Sequence, residues 1–262
     1  MSSSIHLNLS LKKGLTLLRH IAAHNDQFTM TELANSLGMD KGTTRRFLAT
    51  LQDLGYIYCS PDRKTFSVTI RVLEFGYTAL CGMDWRDVAK SHLEKLFDDF
   101  GDSCISVSLC ILDDLDVCYL FRREKPGFLQ LGLRVGARRP AFASSMGKVI
   151  MAMWPNEQRM SVLEEVQIRT LTPHTVSSRK ELLLQLDTIL EQGYAISDRE
   201  ISPLARSLAV PLMYKDQPLA AAAVSGLAER LSVAELVELA LPRLRACVGE
   251  IAEALERMEY NR

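Results

Sequence analysis

Two helix-start signals separated by a short glycine-punctuated turn, then two β-prone runs with cations between them, constrain this chain more than any other feature, and all lie within residues 29–69. Thr29-Met30-Thr31-Glu32 has capping-box spacing, in which the threonine hydroxyl accepts from the amide three residues on and the glutamate reaches back to the cap. It predicts a short helix with Leu33, Ala34 and Leu37 as its apolar stripe, and Gly38 falls where a left-handed C-cap is wanted. Asp40 can cap a second helix running through Leu54, with Phe47, Leu48, Leu51 and Leu54 at helical spacing and Gly55 to end it. Lys41, Thr43, Thr44, Arg45 and Arg46 crowd its first turns. Long donors and short hydroxyls at that end are what a recognition helix presents to base edges and phosphates.

Residues 56–60 and 65–69 are β-prone, and Pro61-Asp62-Arg63-Lys64 between them supplies turn residues and two cations. Arg63 and Lys64 at such a tip would meet the phosphate backbone, which adds salt-dependent affinity without sequence information. Upstream, Leu11, Leu15, Leu17, Leu18 and Ile21 predict the helix that closes a three-helix core. Taken in order, these signals predict a winged helix-turn-helix that binds double-stranded DNA.

Charge agrees with that placement. The net charge is −1 over 262 residues, yet residues 1–80 hold nine Lys and Arg against six Asp and Glu, so the positive excess lies with the predicted reader. A hydrophobic fraction of 47% supplies ordinary globular cores and argues against disorder. The six cysteines, at 59, 81, 104, 110, 118 and 247, form no Cys-x-x-Cys pair and have no histidine at ligand spacing, so neither a zinc site nor a disulfide framework is expected. The polar start Met1-Ser2-Ser3-Ser4 does not resemble a signal peptide, and no apolar run reaches the roughly 18 residues of a membrane helix, which predicts a cytoplasmic protein without a membrane partner.

Residues 70–80 read as a short amphipathic linker helix and place a boundary near residue 80, dividing the chain into 1–80 and 81–262. Beyond it, Asp84 can cap a helix over 85–100. A hairpin is expected over 104–112 and 115–122, a strand near 128–135, a loop over 136–142, and a helix from Ser144 to about Met153. Helices near 156–166 and 178–192, strands near 194–198, 205–214 and 217–225, and a last helix over 232–258 that contains Pro242 complete the pattern. So many strands predict an α+β fold with an antiparallel sheet flanked by helices.

Three separated stretches make a resemblance specific. Val135-Gly136-Ala137-Arg138-Arg139-Pro140-Ala141-Phe142-Ala143-Ser144-Ser145-Met146-Gly147-Lys148 is the first. Gly193-Tyr194-Ala195-Ile196-Ser197-Asp198-Arg199-Glu200 with Arg206-Ser207-Leu208-Ala209-Val210-Pro211 is the second, and Ala223-Val224-Ser225-Gly226 the third. In this order behind the winged helix-turn-helix, they resemble the IclR family of bacterial transcription regulators over nearly the whole chain. Ser-Met-Gly-Lys and Arg169-Thr170-Leu171-Thr172-Pro173-His174-Thr175 are similar to the branch controlling degradation of protocatechuate, 4-hydroxybenzoate and β-ketoadipate. Leu204-Ala205-Arg206 departs from that branch, which usually carries Gly-Leu-Arg.

The resemblance implies a GAF-like effector domain for a small organic acid, aromatic or dicarboxylic, and homodimers that pair into tetramers. By carry-over, Ser145, Met146, Asp198, Ala205, Ser207, Ala223 and Ser225 line the pocket, with Phe128 and Leu131 as its apolar wall. A physical reason accompanies this. Ser144, Ser145 and Met146 open a helix, whose leading amides and dipole suit a carboxylate. Blander readings stand beside these: Ser144 and Ser145 as plain caps, Asp198 as a partner of Arg199 or Arg206, Ser225 as a turn residue, Arg138 and Arg139 as solvated loop charges. Ser145-Met146-Gly147-Lys148 also fits Ser-x-x-Lys, but the companion elements of penicillin-recognising hydrolases are absent. The sequence therefore predicts a ligand-controlled reader of a pseudo-palindromic operator, with no cofactor, metal or catalytic residue. A ligand-independent DNA-binding protein whose second domain only oligomerises is the alternative.

Overall fold

The computed structural model describes residues 7–24, 27–101, 106–125 and 133–258. The chain divides into two compact units, Met1–Gly82 and Met83–Arg262.

In the first unit, helices α1 (Leu9–Ala23), α2 (Met30–Ser36) and α3 (Lys41–Asp53) precede strands β1 (Ile57–Cys59) and β2 (Phe66–Val68). The capping box at Thr29 is present. Its Glu32 carboxylate receives both the amide and the hydroxyl of Thr29 at 2.7 Å. Leu17, Ile21, Leu33, Leu48, Ile57 and Phe66 meet in the core, so every element contributes to one apolar cluster. Full burial of such a side chain stabilises by about 1.5–3 kcal/mol before entropy is counted. β1 and β2 pair antiparallel, with Ile57 opposite Val68 and Cys59 opposite Phe66.

Gly38 and Gly55 both adopt positive φ, at 59° and 75°. At Gly55 the conformation lets the chain turn under an arginine. Arg71 donates from Nη1 to the carbonyl of Leu54 at 2.7 Å, and a Cβ on Gly55 would lie 3.3 Å from that guanidinium. Past the wing, a 3-10 turn at Ile70–Val72 leads into α4 (Leu73–Cys81), a helix with no buried residue. The amphipathic helix expected here is thus formed, and its apolar side chains are not buried among the described residues. Ile70, Leu73, Phe75 and Tyr77 are all exposed.

The second unit is a six-stranded antiparallel sheet in the order β5-β4-β3-β8-β7-β6. Its strands are β3 (Ser106–Asp113), β4 (Asp116–Glu124), β5 (Arg138–Pro140), β6 (Ala195–Asp198), β7 (Ala205–Tyr214) and β8 (Gln217–Leu227). Helices α5 (Asp84–Asp99) and α9 (Val233–Arg257) pack together against it; α6 (Ser145–Met153) also packs against it and carries α8 (Arg179–Gln192), with α7 (Asn156–Glu165) between these two in sequence. The pleat sends Ala209, Ala221 and Ala223 into the cluster that holds α6 and α8. Small residues there let α6, buried from Ser145 to Ala152, approach the sheet.

Two expectations change, and a third falls mostly outside the described residues. Arg138–Pro140, read as loop, is the edge strand β5, with Val117 opposite Arg139. The strand expected near 128–135 falls mostly on residues 126–132, outside those described, and 133–135 form no strand. Asp84 is the first residue of α5 rather than its cap, which is Met83. α9 continues through Pro242 for 25 residues.

Candidate DNA-facing surface and effector cavity

Asp40 caps α3 by accepting from the amide of Thr43 at 2.8 Å, and the bonds from Thr43 hold its carboxyl below the usual carboxylate range. The cap sets the phase of the helix, so that Lys41, Arg45 and Arg46 are exposed. Thr43 is half-buried and its hydroxyl accepts from Arg46 Nη2 at 3.2 Å. Thr44 faces the other way. It is fully buried, and its hydroxyl donates to the carbonyl of Asp40 at 3.0 Å, so it cannot meet a base edge. Its inclusion among the expected DNA contacts is corrected by helical phase: next to Leu48 by one turn, it belongs to the core face. Arg63 and Lys64 stand exposed on the turn between β1 and β2, where Lys64 takes a positive φ of 54°.

In the second unit the sheet register produces a feature that no linear motif shows. Ser106 of β3 lies opposite Ser225 of β8, Ser225 opposite Ser207 of β7, and Ser207 opposite Ser197 of β6. Four serines thus cross four neighbouring strands in one row. The next row on the same face is Ser108, Ala223, Ala209 and Ala195, nearly all alanine. Ser106, Ser197, Ser207 and Ser225 line a cavity of about 50 Å³, together with Tyr119, Arg122, Leu133, Ile201, Ser202 and Ala205.

Helix α6 starts against this row. Ser145 Oγ and Ser207 Oγ are 2.8 Å apart, and Ser197 donates to the carbonyl of Ala143 at 2.7 Å. Gly147 lets the 3-10 turn Ala141–Ala143 fold back closely on α6, since a Cβ there would lie 2.5 Å from the Cα and carbonyl oxygen of Ala141. The helical ladder begins with Lys148 N donating to Ser144 O at 2.9 Å, leaving the amides of Ser145, Met146 and Gly147 ahead of it. The amide of Ser144, expected among the free donors, already donates to Ala141 O at 3.2 Å. Ser106 Oγ is buried without a hydrogen-bond partner. The Arg122 side chain is almost wholly buried, donating to Ser108 Oγ at 3.1 Å and to Glu124 at 2.8 Å. Burial pushes the Tyr119 phenol up, so it stays a neutral donor.

The expected pocket residues separate into groups. Ala205, Ser207 and Ser225 line the cavity, and Ser145 is tied to Ser207. Met146 and Ala223 are buried in the apolar cluster beside it. Ser144 is the N-cap of α6 without a side-chain capping bond. Phe128 and Leu131 lie outside the described residues. Asp198 belongs elsewhere: strand alternation turns it to the opposite face from Ser197. There it accepts from Arg206 Nε at 2.9 Å and Arg199 Nε at 3.1 Å. Burial pushes its carboxyl up, but these guanidinium groups outweigh that and hold it below the usual range. Arg138 is likewise engaged, with Asp113 and with Asp116.

Sequence reasoning missed Ser106, Tyr119, Arg122, Leu133, Ser197, Ile201 and Ser202 as cavity residues. Ser106, Ser197, Ser207 and Ser225 are visible as serines in β-prone runs, but only register aligns them.

Lys148 stands one turn from Ser145 without activating it. Its ammonium donates to Glu200 Oε1 at 2.5 Å and to Gln185 Oε1 at 3.1 Å. Burial lowers the Lys148 pKa and raises that of Glu200. This buried pair fastens α6 to the segment after β6, and the Ser-x-x-Lys spacing forms no nucleophile and base pair. Among the described residues no group of three or more His, Cys, Asp or Glu could hold a metal ion, and no helix is long and apolar enough to cross a membrane.

Residues 10–60 match the IclR helix-turn-helix domain and residues 77–253 match the bacterial transcriptional regulator IclR C-terminal domain. The p-hydroxybenzoate hydroxylase transcriptional activator of Acinetobacter baylyi is 29% identical over 248 residues, covering 92% of this chain and 89% of that protein. A solved structure from Rhodococcus sp. RHA1, described as a transcriptional regulator, shares 32% identity at a TM-score of 0.79, covering 96% of this chain and all of that one. The inducer-binding domain of the Acinetobacter PobR transcription factor, a double mutant solved with 3-hydroxybenzoic acid, shares 27% identity at a TM-score of 0.58. It covers 63% of this chain and 96% of that one.

Proposed function

Because the chain belongs to the IclR family of bacterial transcription regulators, and is a DNA-binding regulator rather than an enzyme, we propose that residues 1–80 read a pseudo-palindromic operator while residues 81–262 sense a small organic acid and carry oligomerisation. Two copies of α3 in a homodimer enter successive major grooves, with half-sites about one turn of duplex apart. The exposed apolar side chains Leu11, Leu15, Leu73 and Phe75 support a dimer, because burying them against a second copy removes apolar area from water.

The serine row carries the sensor half of this reading. A carboxylate only accepts hydrogen bonds, and here hydroxyls from β3, β7 and β8 converge on one cavity beside the leading amides of α6, while Ser197 of β6 spends its hydroxyl hydrogen on the carbonyl of Ala143. Ser106, buried with no partner of its own, gains one when an acceptor arrives. The names of the two Acinetobacter relatives point to hydroxybenzoates, which puts these at the head of the acids to test. At about 50 Å³ the cavity holds less than an aromatic acid, so binding selects a wider form of the site. That difference in affinity is the free energy available to bias operator binding, and the coupling is reciprocal.

Thermal stability measured against 4-hydroxybenzoate, 3-hydroxybenzoate, protocatechuate, β-ketoadipate, pyruvate and glyoxylate tests the sensor. A selective, saturable rise in midpoint is expected from one class of acid. Folded protein that shifts with none of them would sink the organic-acid reading and leave the ligand-independent alternative. An acid that binds without changing operator affinity or promoter output would sink the coupling.

A further inference from the structure

Beside the outward face of α3 runs a groove of about 360 Å³ that the recognition helix forms with α1. Its polar lining is Ser10 and Lys13 from α1 with Thr43, Arg46 and Thr50 from α3. Positions 43, 46 and 50 stack along one ridge of α3, at the three- and four-residue spacing that aligns side chains. Gly14, next to Lys13, is where the helices come close: a Cβ there would lie 3.8 Å from the Phe47 ring. No carboxylate is among the residues that form the groove.

We propose that this groove seats one phosphate of the operator backbone, making Ser10 and Lys13 of α1 part of the DNA-binding surface. The inference rests on the reading of residues 1–80 as the DNA reader. A phosphate offers only acceptors and a negative charge, and the groove presents two cations and two hydroxyls that can donate. Arg46 lies over Thr43, with Nη2 donating to Oγ1 at 3.2 Å, which leaves the Thr43 hydroxyl hydrogen for another acceptor. Thr50 instead spends its hydroxyl hydrogen on the carbonyl of Arg46, at 3.0 Å, and serves as wall. Lys13 and Arg46 come from different helices, so a phosphate between them pins the angle at which α3 enters the groove of the duplex. Such a contact positions the reader and carries no sequence information.

The exposed leucines Leu11 and Leu15 project from the other side of α1, about 160–200° around the helix from Lys13, so a partner covering them leaves the groove open. Lys12, one residue away and turned by about 100°, is exposed but does not line the groove, and serves as the matched charge control.

Binding of the full chain to a random-sequence 30-base-pair duplex, measured over a range of salt concentrations, tests the proposal. Each phosphate neutralised contributes about 0.9 to the slope of log affinity against log salt. Lys13→Ala is expected to lower the slope by about that amount per protomer and to weaken binding alike for all duplex sequences. Lys12→Ala is expected to change it by less than half as much. An unchanged slope in Lys13→Ala, or equal losses in the two variants, would overturn the groove while leaving DNA binding intact. Wild-type protein that binds no duplex at any salt concentration would overturn the DNA reading, and the groove with it.

Discussion

Ser145 Oγ stands 2.8 Å from Ser207 Oγ, joining the first residue of α6 to the serine row of the sheet. One hydroxyl belongs to the helix terminus whose amides suit a carboxylate, the other to the strand that lines the cavity. A ligand acceptor between them would draw on both.

Ser207→Ala removes that link and one cavity donor. The variant is expected to fold, because a single hydrogen bond contributes about 0.5–1.5 kcal/mol. Affinity for whichever acid of the panel binds should fall about 2- to 12-fold, the same energy expressed as a ratio. Calorimetric titration of wild type and variant decides this, and equal affinities would remove Ser207 from the binding set.

Gly147→Ala places a methyl group where Ala141 backbone atoms lie 2.5 Å away. Both α6, buried from Ser145 to Ala152, and the preceding turn, buried at Ala141, Phe142 and Ala143, are packed in the core. Overpacking of this kind costs about 1–3 kcal/mol. Denaturant unfolding should show a lower midpoint in a transition assigned to the second unit, and a midpoint equal to wild type would refute the close approach.

Asp198 gives a pH dependence of known sign. Its folded pKa lies below the ordinary 3.8 because Arg199 and Arg206 outweigh its burial. The native state therefore binds fewer protons than the unfolded state in that window. The stabilisation is present above the unfolded pKa and is lost as pH falls through the folded one. Asp198→Asn should lose stability at neutral pH and show a shallower acid-side decline than wild type, as followed by unfolding between about pH 2 and 6. Parallel curves would mean the ion pairs contribute nothing.

Two neighbouring residues of α3 should part company. Arg46→Ala removes an exposed cation from the groove between α1 and α3 and should weaken operator binding at least about tenfold, since hydrogen bonds to charged groups contribute about 1.5–3 kcal/mol. Thr44→Ala removes a buried hydroxyl bonded to Asp40, and should lower thermal stability while leaving sequence preference intact. Selection from random duplexes, followed by affinity measurements on the preferred site, separates the two. Altered preference in Thr44→Ala, or unchanged affinity in Arg46→Ala, would contradict these placements.

What was legible in the sequence was local. The capping box at Thr29, the cap at Asp40 and the positive-φ glycines Gly38 and Gly55 act within a few residues of themselves. For that reason α2, α3 and the wing lie close to their expected positions. β7 and β8 likewise lie close to the strands expected near 205–214 and 217–225, and the antiparallel, helix-flanked sheet followed from the number of strands. Tertiary structure decided whatever depends on register and facing. Asp198 and Ser197 are adjacent in a motif, yet the pleat sends them to opposite faces, so one meets two arginines and the other the cavity. Ser106 and Ser197 are 91 positions apart, and only the pairing of β3, β8, β7 and β6 puts them in one row. Thr44 looked like a DNA contact by composition and became core by helical phase. A short motif specifies which groups are present, whereas the direction each one faces depends on the surfaces that fold against it.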